Sequence, residues 1–101
     1  MSIKVSNLYD IILFVTEDSR EFGESIVDQC KNQFGIDVML HSHSNDTKEE
    51  VYENLQTWKS EDQMNDPWTW PFVIVRRLDV SGARFHWGEQ QINEVIASLE
   101  A

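Results

Sequence analysis

Chemistry at a protein site calls for a nucleophile, a metal cage or a phosphate cradle, and this sequence is sparing with all three. It holds one cysteine, Cys30, which cannot form an internal disulfide and is no metal framework alone. Phe22, Ile26, Cys30 and Phe34 recur every fourth residue. That spacing puts the thiol on the apolar stripe of a helix, where a buried inert cysteine is expected. His41 and His43 stand two apart, on one face of a strand, and with Asp46 outline a two-histidine metal site. His86 belongs to a strand expected at the opposite edge of the sheet, so the three imidazoles do not converge. Solvated strand-end histidines are the expectation, and no metal is expected. Ser19 lacks the Gly-x-Ser-x-Gly elbow that exposes a hydrolase nucleophile. The four glycines form no phosphate loop.

The elements that must position these residues come from one domain, 1–101. Hydrophobic residues make up 41% of it, enough for a core rather than a disordered chain. No apolar run approaches the roughly 18–20 residues of a membrane span, and no signal peptide is read at the start. A cytoplasmic protein without membrane contact is expected. The net charge of −10 would repel a phosphate backbone, so direct nucleic-acid binding is not expected. Residues 45–66 hold seven acids and two bases. Glu49, Glu50, Glu53, Glu61 and Asp62 form a candidate acidic surface there. It reads either as a solvated face or as a face for a basic partner.

Ile11 to Val15 are continuously apolar, which suits a central strand covered on both faces. The Phe22–Phe34 stripe then marks a helix stopped by Gly35. Residues 36–42 read as a second strand, with Met39, His41 and His43 on one face and Val38 and Leu40 on the other. Thr47 with Glu50, or Asp46 with Glu49, fits a capping box. Val51, Leu55 and Trp58 continue as a helix, and Lys59 to Asp66 read as a polar loop. Phe72 to Val75 are again fully apolar, with Pro71 confined to the strand's start. Asp79 to Gly82 signal a turn, residues 83–87 a returning strand, and Ile92, Val95, Ile96 and Leu99 a closing helix. The order βαβ-α-ββα predicts an α/β fold: a four-stranded mixed sheet, order 2-1-3-4, with helices on both faces.

This order, together with Thr69-Trp70-Pro71-Phe72-Val73-Ile74, resembles the glutaredoxin-like branch of the thioredoxin fold. The hexapeptide looks like the Thr-Val-Pro segment that opens the third strand of that family. The resemblance covers nearly the whole chain and implies a cis Trp70–Pro71 bond beside the start of the first helix. It implies a Cys-x-x-Cys or Cys-x-x-Ser at that start, where the helix N-terminus would activate the first thiol. The corresponding stretch here is Ser19-Arg20-Glu21-Phe22, and residues 15–29 hold no cysteine. The family's cofactor is glutathione. The stretch that would take its γ-glutamyl carboxylate reads His86-Trp87-Gly88-Glu89-Gln90, with one glycine rather than two. Glu89 adds negative charge where the anion would dock.

Trp68, Trp70 and Trp87 fall around the proline loop and the hairpin's end. They either cap the core or form an exposed aromatic patch, the usual anchor of a protein interface. The leading expectation is a redox-inactive binding or regulatory protein with a basic protein partner. Its candidate site is Ser19, Arg20, Phe22, Trp70, Pro71, Trp87 and Glu89. Two rivals stay open: a divergent glutaredoxin-like oxidoreductase or glutathione-binding protein, and an acidic nucleic-acid mimic of the viral accessory kind.

Overall fold

Tyr9–Thr16 form β1, Arg20–Phe34 α1, Met39–His43 β2, Lys48–Leu55 α2, Phe72–Arg77 β3, Arg84–Trp87 β4 and Gly88–Ala97 α3. The structure, a computed structural model, describes residues 9–78 and 83–99; the turn expected over 79–82 lies outside them. The four strands make one mixed sheet in the order β2-β1-β3-β4. β1 runs parallel to β2 and antiparallel to β3, and β4 returns antiparallel on β3. This is the sheet order expected from the apolar runs.

The alternation of β1 divides its side chains between two cores. Ile11, Leu13 and Val15 face α1 and α3, where they meet Ile26, Cys30, Val73, Ile92 and Ile96. Phe14 faces the other way, into a core of Val51, Leu55, Phe72, Ile74, Phe85 and Trp87. The first core is aliphatic and the second largely aromatic. That difference decides where the unusual residues of this chain gather.

Gly35 ends α1 in the left-handed region, at φ 68°. Its N–H bonds the Lys31 carbonyl at 3.0 Å, and the Ile36 N–H bonds that of Cys30 at 3.2 Å, which satisfies carbonyls that the helix end would leave open. Several boundaries differ from the sequence reading. The second strand starts at Met39 rather than Ile36; Ile36 and Val38 are buried, but in irregular chain before it. The second helix stops at Leu55, and Trp58 ends a 3₁₀ turn, 51% exposed. Neither expected capping box forms: Thr47 Oγ1 donates instead to the Ser44 carbonyl at 3.0 Å, closing a local turn.

α1 lies close over β1 and β2 because Gly23 is buried at the contact. A β-carbon there would sit 2.8 Å from Val15 Cγ1 and 3.0 Å from Leu40 Cδ1. Gly23→Ala gains up to about 1 kcal/mol of helix propensity and meets an overpacking cost of about 1–3 kcal/mol. A net loss of about 1–2 kcal/mol is expected, read as a lower urea midpoint at unchanged slope.

Candidate functional site

The topology brings the C-terminal ends of β1, β2 and β4 to the same end of the sheet as the start of β3. The register sets Thr16 beside His43, Phe14 beside Phe72, and Phe72 beside Trp87. Ser19, Arg20, Trp70, Pro71, Gly88 and Glu89 therefore share one end of the molecule, as expected. Trp70–Pro71 is a cis peptide bond. The Gly88 N–H donates to the Pro71 carbonyl at 2.7 Å and ties the start of α3 to the proline loop.

Ser19 does not present a free hydroxyl. Its Oγ accepts from the Thr16 N–H at 3.1 Å and lies 3.4 Å from Thr16 Oγ1, locking the turn into α1. Arg20 is exposed and pairs with Glu24 at 3.3 Å. Phe22 packs against the aliphatic core and Trp70 against the aromatic one, so the sheet separates the two rings. Their expected union in one patch is not what the fold builds.

The tryptophans also part company. Trp87 is 8% exposed and belongs to the aromatic core, which corrects its place as an interface anchor. Its ring lies 5.2 Å from Phe72, 5.2 Å from Phe85 and 4.9 Å from Trp68. Its main-chain N–H donates to Gln91 Oε1 at 2.9 Å, while its buried indole Nε1 has no partner among the described residues. Trp70 is half-buried. Its Nε1 donates to the Tyr52 hydroxyl at 2.8 Å, and its ring meets His43 edge-on at 5.9 Å. Lys48 Nζ stands 5.8 Å from the Trp70 ring. Tyr52 thus holds Trp70 from α2, a positioning role that no spacing rule reveals.

The stretch 59–66, expected to be a polar loop, contributes two buried polar residues. Lys59 places its ammonium 4.7 Å from the Trp68 ring and 5.1 Å from the Trp87 ring, and donates to the Asp66 carbonyl at 2.7 Å. Burial of an ammonium is tolerated because two aromatic faces and a carbonyl replace water. Gln63 Nε2 donates to the Phe85 carbonyl at 2.8 Å, while its Oε1 accepts from the Phe85 N–H at 3.1 Å.

The candidate acids are exposed but fall in two places. Glu49, Glu50 and Glu53 are on α2, the helix that carries Tyr52. Glu61 and Asp62 lie beside β4, where Asp62 pairs with Arg84 at 3.0 Å. The Arg84 hydrogen bond holds the Asp62 carboxyl below its usual range. That local partner leaves Asp62 less free to steer an incoming cation. Cys30 is fully buried, and desolvation pushes its thiol up to about 11.

His41 is exposed and stacks on Phe14 at 5.1 Å. His43 is half-buried rather than solvated, stacked on Phe14 at 5.7 Å, with its Nε2 buried and without a partner among the described residues. His86 is across the sheet, and among the described residues no three ligand-type side chains gather. Burial, then repulsion from His41, lowers the His43 imidazole; burial, then Arg84, lowers His86. Both are held below the unfolded value near 6.5, so the unfolded chain binds protons first. The stability these imidazoles support is therefore complete above about pH 6.5 and falls as the solution is acidified toward their folded values. Urea titrations at stepped pH check the sign: His43→Gln, which removes one of the two imidazoles, should flatten the slope below about pH 6.5.

In comparisons with known proteins, no family model, no curated protein and no solved structure matches the chain.

Proposed function

We propose that the chain is a thioredoxin-like binding protein that engages a basic polypeptide without thiol–disulfide chemistry. The sheet order, the helices on both faces and Pro71 at the start of β3 support the thioredoxin-like reading. The observation that carries the function is the identity of the residues at the first helix's start. Where an attacking thiolate would stand, Ser19 spends its hydroxyl on Thr16, and the one thiol of the chain is buried in the aliphatic core. A serine hydroxyl cannot form a disulfide, and a buried thiol held near 11 is a poor thiolate. What remains at that end is half-buried Trp70, held by Tyr52, beside the acids of α2. Ring burial would supply affinity, and the acids would speed association with a cation.

Two measurements test it. Disulfide turnover with glutathione or dithiothreitol should equal that of a Cys30→Ser control, and Cys30 should react with a thiol reagent only as the chain unfolds. Immobilised protein should retain a basic polypeptide from lysate, released by salt, and Trp70→Ala should weaken that capture by at least about tenfold. Turnover above the control, or capture unaffected by Trp70→Ala, overturns the reading.

A further inference from the structure

The two edges of the sheet are finished differently. At β4, one glutamine side chain takes both main-chain groups of Phe85. At β2, nothing among the described residues pairs with the outer edge.

The register shows which groups that edge offers. Phe85 spends its N–H and C=O on Gln63, so Ile74, opposite it, turns its own toward β1. Ile12 pairs with Ile74 and faces β3, so the next residue, Leu13, faces β2. Leu13 is set beside Leu40 in a parallel pair, which directs Met39 and His41 toward β1. Leu40 and Ser42 are left with N–H and C=O pointing away from the sheet.

Edge strands are usually blunted by lysine, proline or a bulge. Met39-Leu-His-Ser-His43 carries neither of those residues, and it pairs with β1 in unbroken register. Its first side chain, Met39, is 57% exposed. Acids bracket it. Asp37 precedes it, and Glu17, Asp18 and Asp46 line a cleft with Thr16 and Ser44 at its far end. Lys31 lies 3.7 Å from Asp37, but both side chains are largely exposed and such a pair is weak, so Asp37 can still meet a second cation.

We propose that the open edge of β2 accepts an extended strand from a basic polypeptide. Its main chain bonds Leu40 and Ser42, an apolar side chain covers Met39, and cationic side chains meet Asp37 and the acidic cleft. A second copy of this chain fits worse: antiparallel pairing would set Asp37 of each copy beside the other's Asp46 end. The inference rests on the proposed function only in taking a basic polypeptide as the partner; it gives that partner a second contact, on β2, apart from the one at Trp70, and the short peptide of the test occupies β2 alone.

The test is a titration of the full-length chain, followed by NMR, with an alternating lysine–valine heptapeptide. The acidic glutamate–valine analogue and a copy of the basic peptide N-methylated at alternate amides are the controls. The basic peptide should slow amide exchange at Leu40 and Ser42 by at least about tenfold, and the two controls should bind at least about tenfold more weakly. Ser42→Pro removes an outward N–H and none used by β1, so it should weaken binding by a similar factor, while Trp70→Ala leaves it unchanged. The N-methyl control keeps the test decisive if Ser42→Pro does not fold. Binding lost with Trp70→Ala but kept with Ser42→Pro overturns the edge assignment and leaves the proposed function standing. Equal binding of the acidic peptide, or no peptide binding, overturns it as well. So does protection of Leu40 and Ser42 in the free chain, by its own residues or by a dimer in sedimentation.

Discussion

Trp87→Ala should cost about 3–5 kcal/mol, a large part of the roughly 5–15 kcal/mol that stabilises a domain of this size. The ring is packed among Phe72, Phe85 and Trp68, and it forms one of the two aromatic faces over the buried Lys59 ammonium. Truncation leaves a cavity and strips a cation of half its aromatic cover. Trp87→Phe should cost less, because a six-membered ring stays in the cluster and the lost indole Nε1 has no partner among the described residues, although the smaller ring still leaves a cavity. Trp70→Ala behaves differently: it gives up a single hydrogen bond to Tyr52 and part of a half-buried ring, about 1–2 kcal/mol. Thermal melts and urea curves on the three variants check the order. A Trp87→Ala protein as stable as Trp70→Ala would remove Trp87 from the core and return it to the surface.

The strands, their order and the helix stripes were legible because burial on two faces leaves a continuous apolar run, and burial on one face leaves a period. Ile11 to Val15 and Phe72 to Val75 announced themselves as central, and Phe22 to Phe34 as a helix. Trp58 misled for a physical reason. It stands seven residues after Val51, as a helical core position would, but the helix tightens to a 3₁₀ turn at Gln56 and rotates the ring outward. Composition also separates poorly a polar residue on the surface from one spent inside. Lys59 and Gln63 read only as part of a polar loop because burial of a cation or an amide depends on partners from elsewhere in the fold, Trp68, Trp87 and Phe85. The rings of the proline loop could be grouped along the chain, yet only alternation across the folded sheet shows that Phe22 and Trp70 lie on opposite faces.

Gln63 carries the second large effect, and its chemistry distinguishes a hydrogen-bonding role from simple filling of space. Its amide offers one donor and one acceptor to Phe85, and the Ser60 hydroxyl bonds Oε1 at 3.1 Å, fixing the orientation. Gln63→Ala leaves an edge N–H and C=O to find water in a site where Gln63 itself is buried. A loss of about 2–4 kcal/mol is expected for the two bonds together. Gln63→Glu has nearly the same shape. At neutral pH its carboxylate still accepts from the Phe85 N–H but faces the Phe85 carbonyl with no proton to donate. Once protonated, it regains that donor. Folding therefore raises the carboxyl above its unfolded value of about 4.3. The support from the protonated form is complete below that value and lost as pH rises through the folded one. The stability gap between wild type and Gln63→Glu should accordingly narrow below about pH 4.3 and be widest near pH 7, whereas the gap for Gln63→Ala should not follow that pattern. Urea midpoints at the two pH values separate the cases: a Gln63→Glu gap that does not change with pH would mean that the amide fills space at the β4 edge and does not close it.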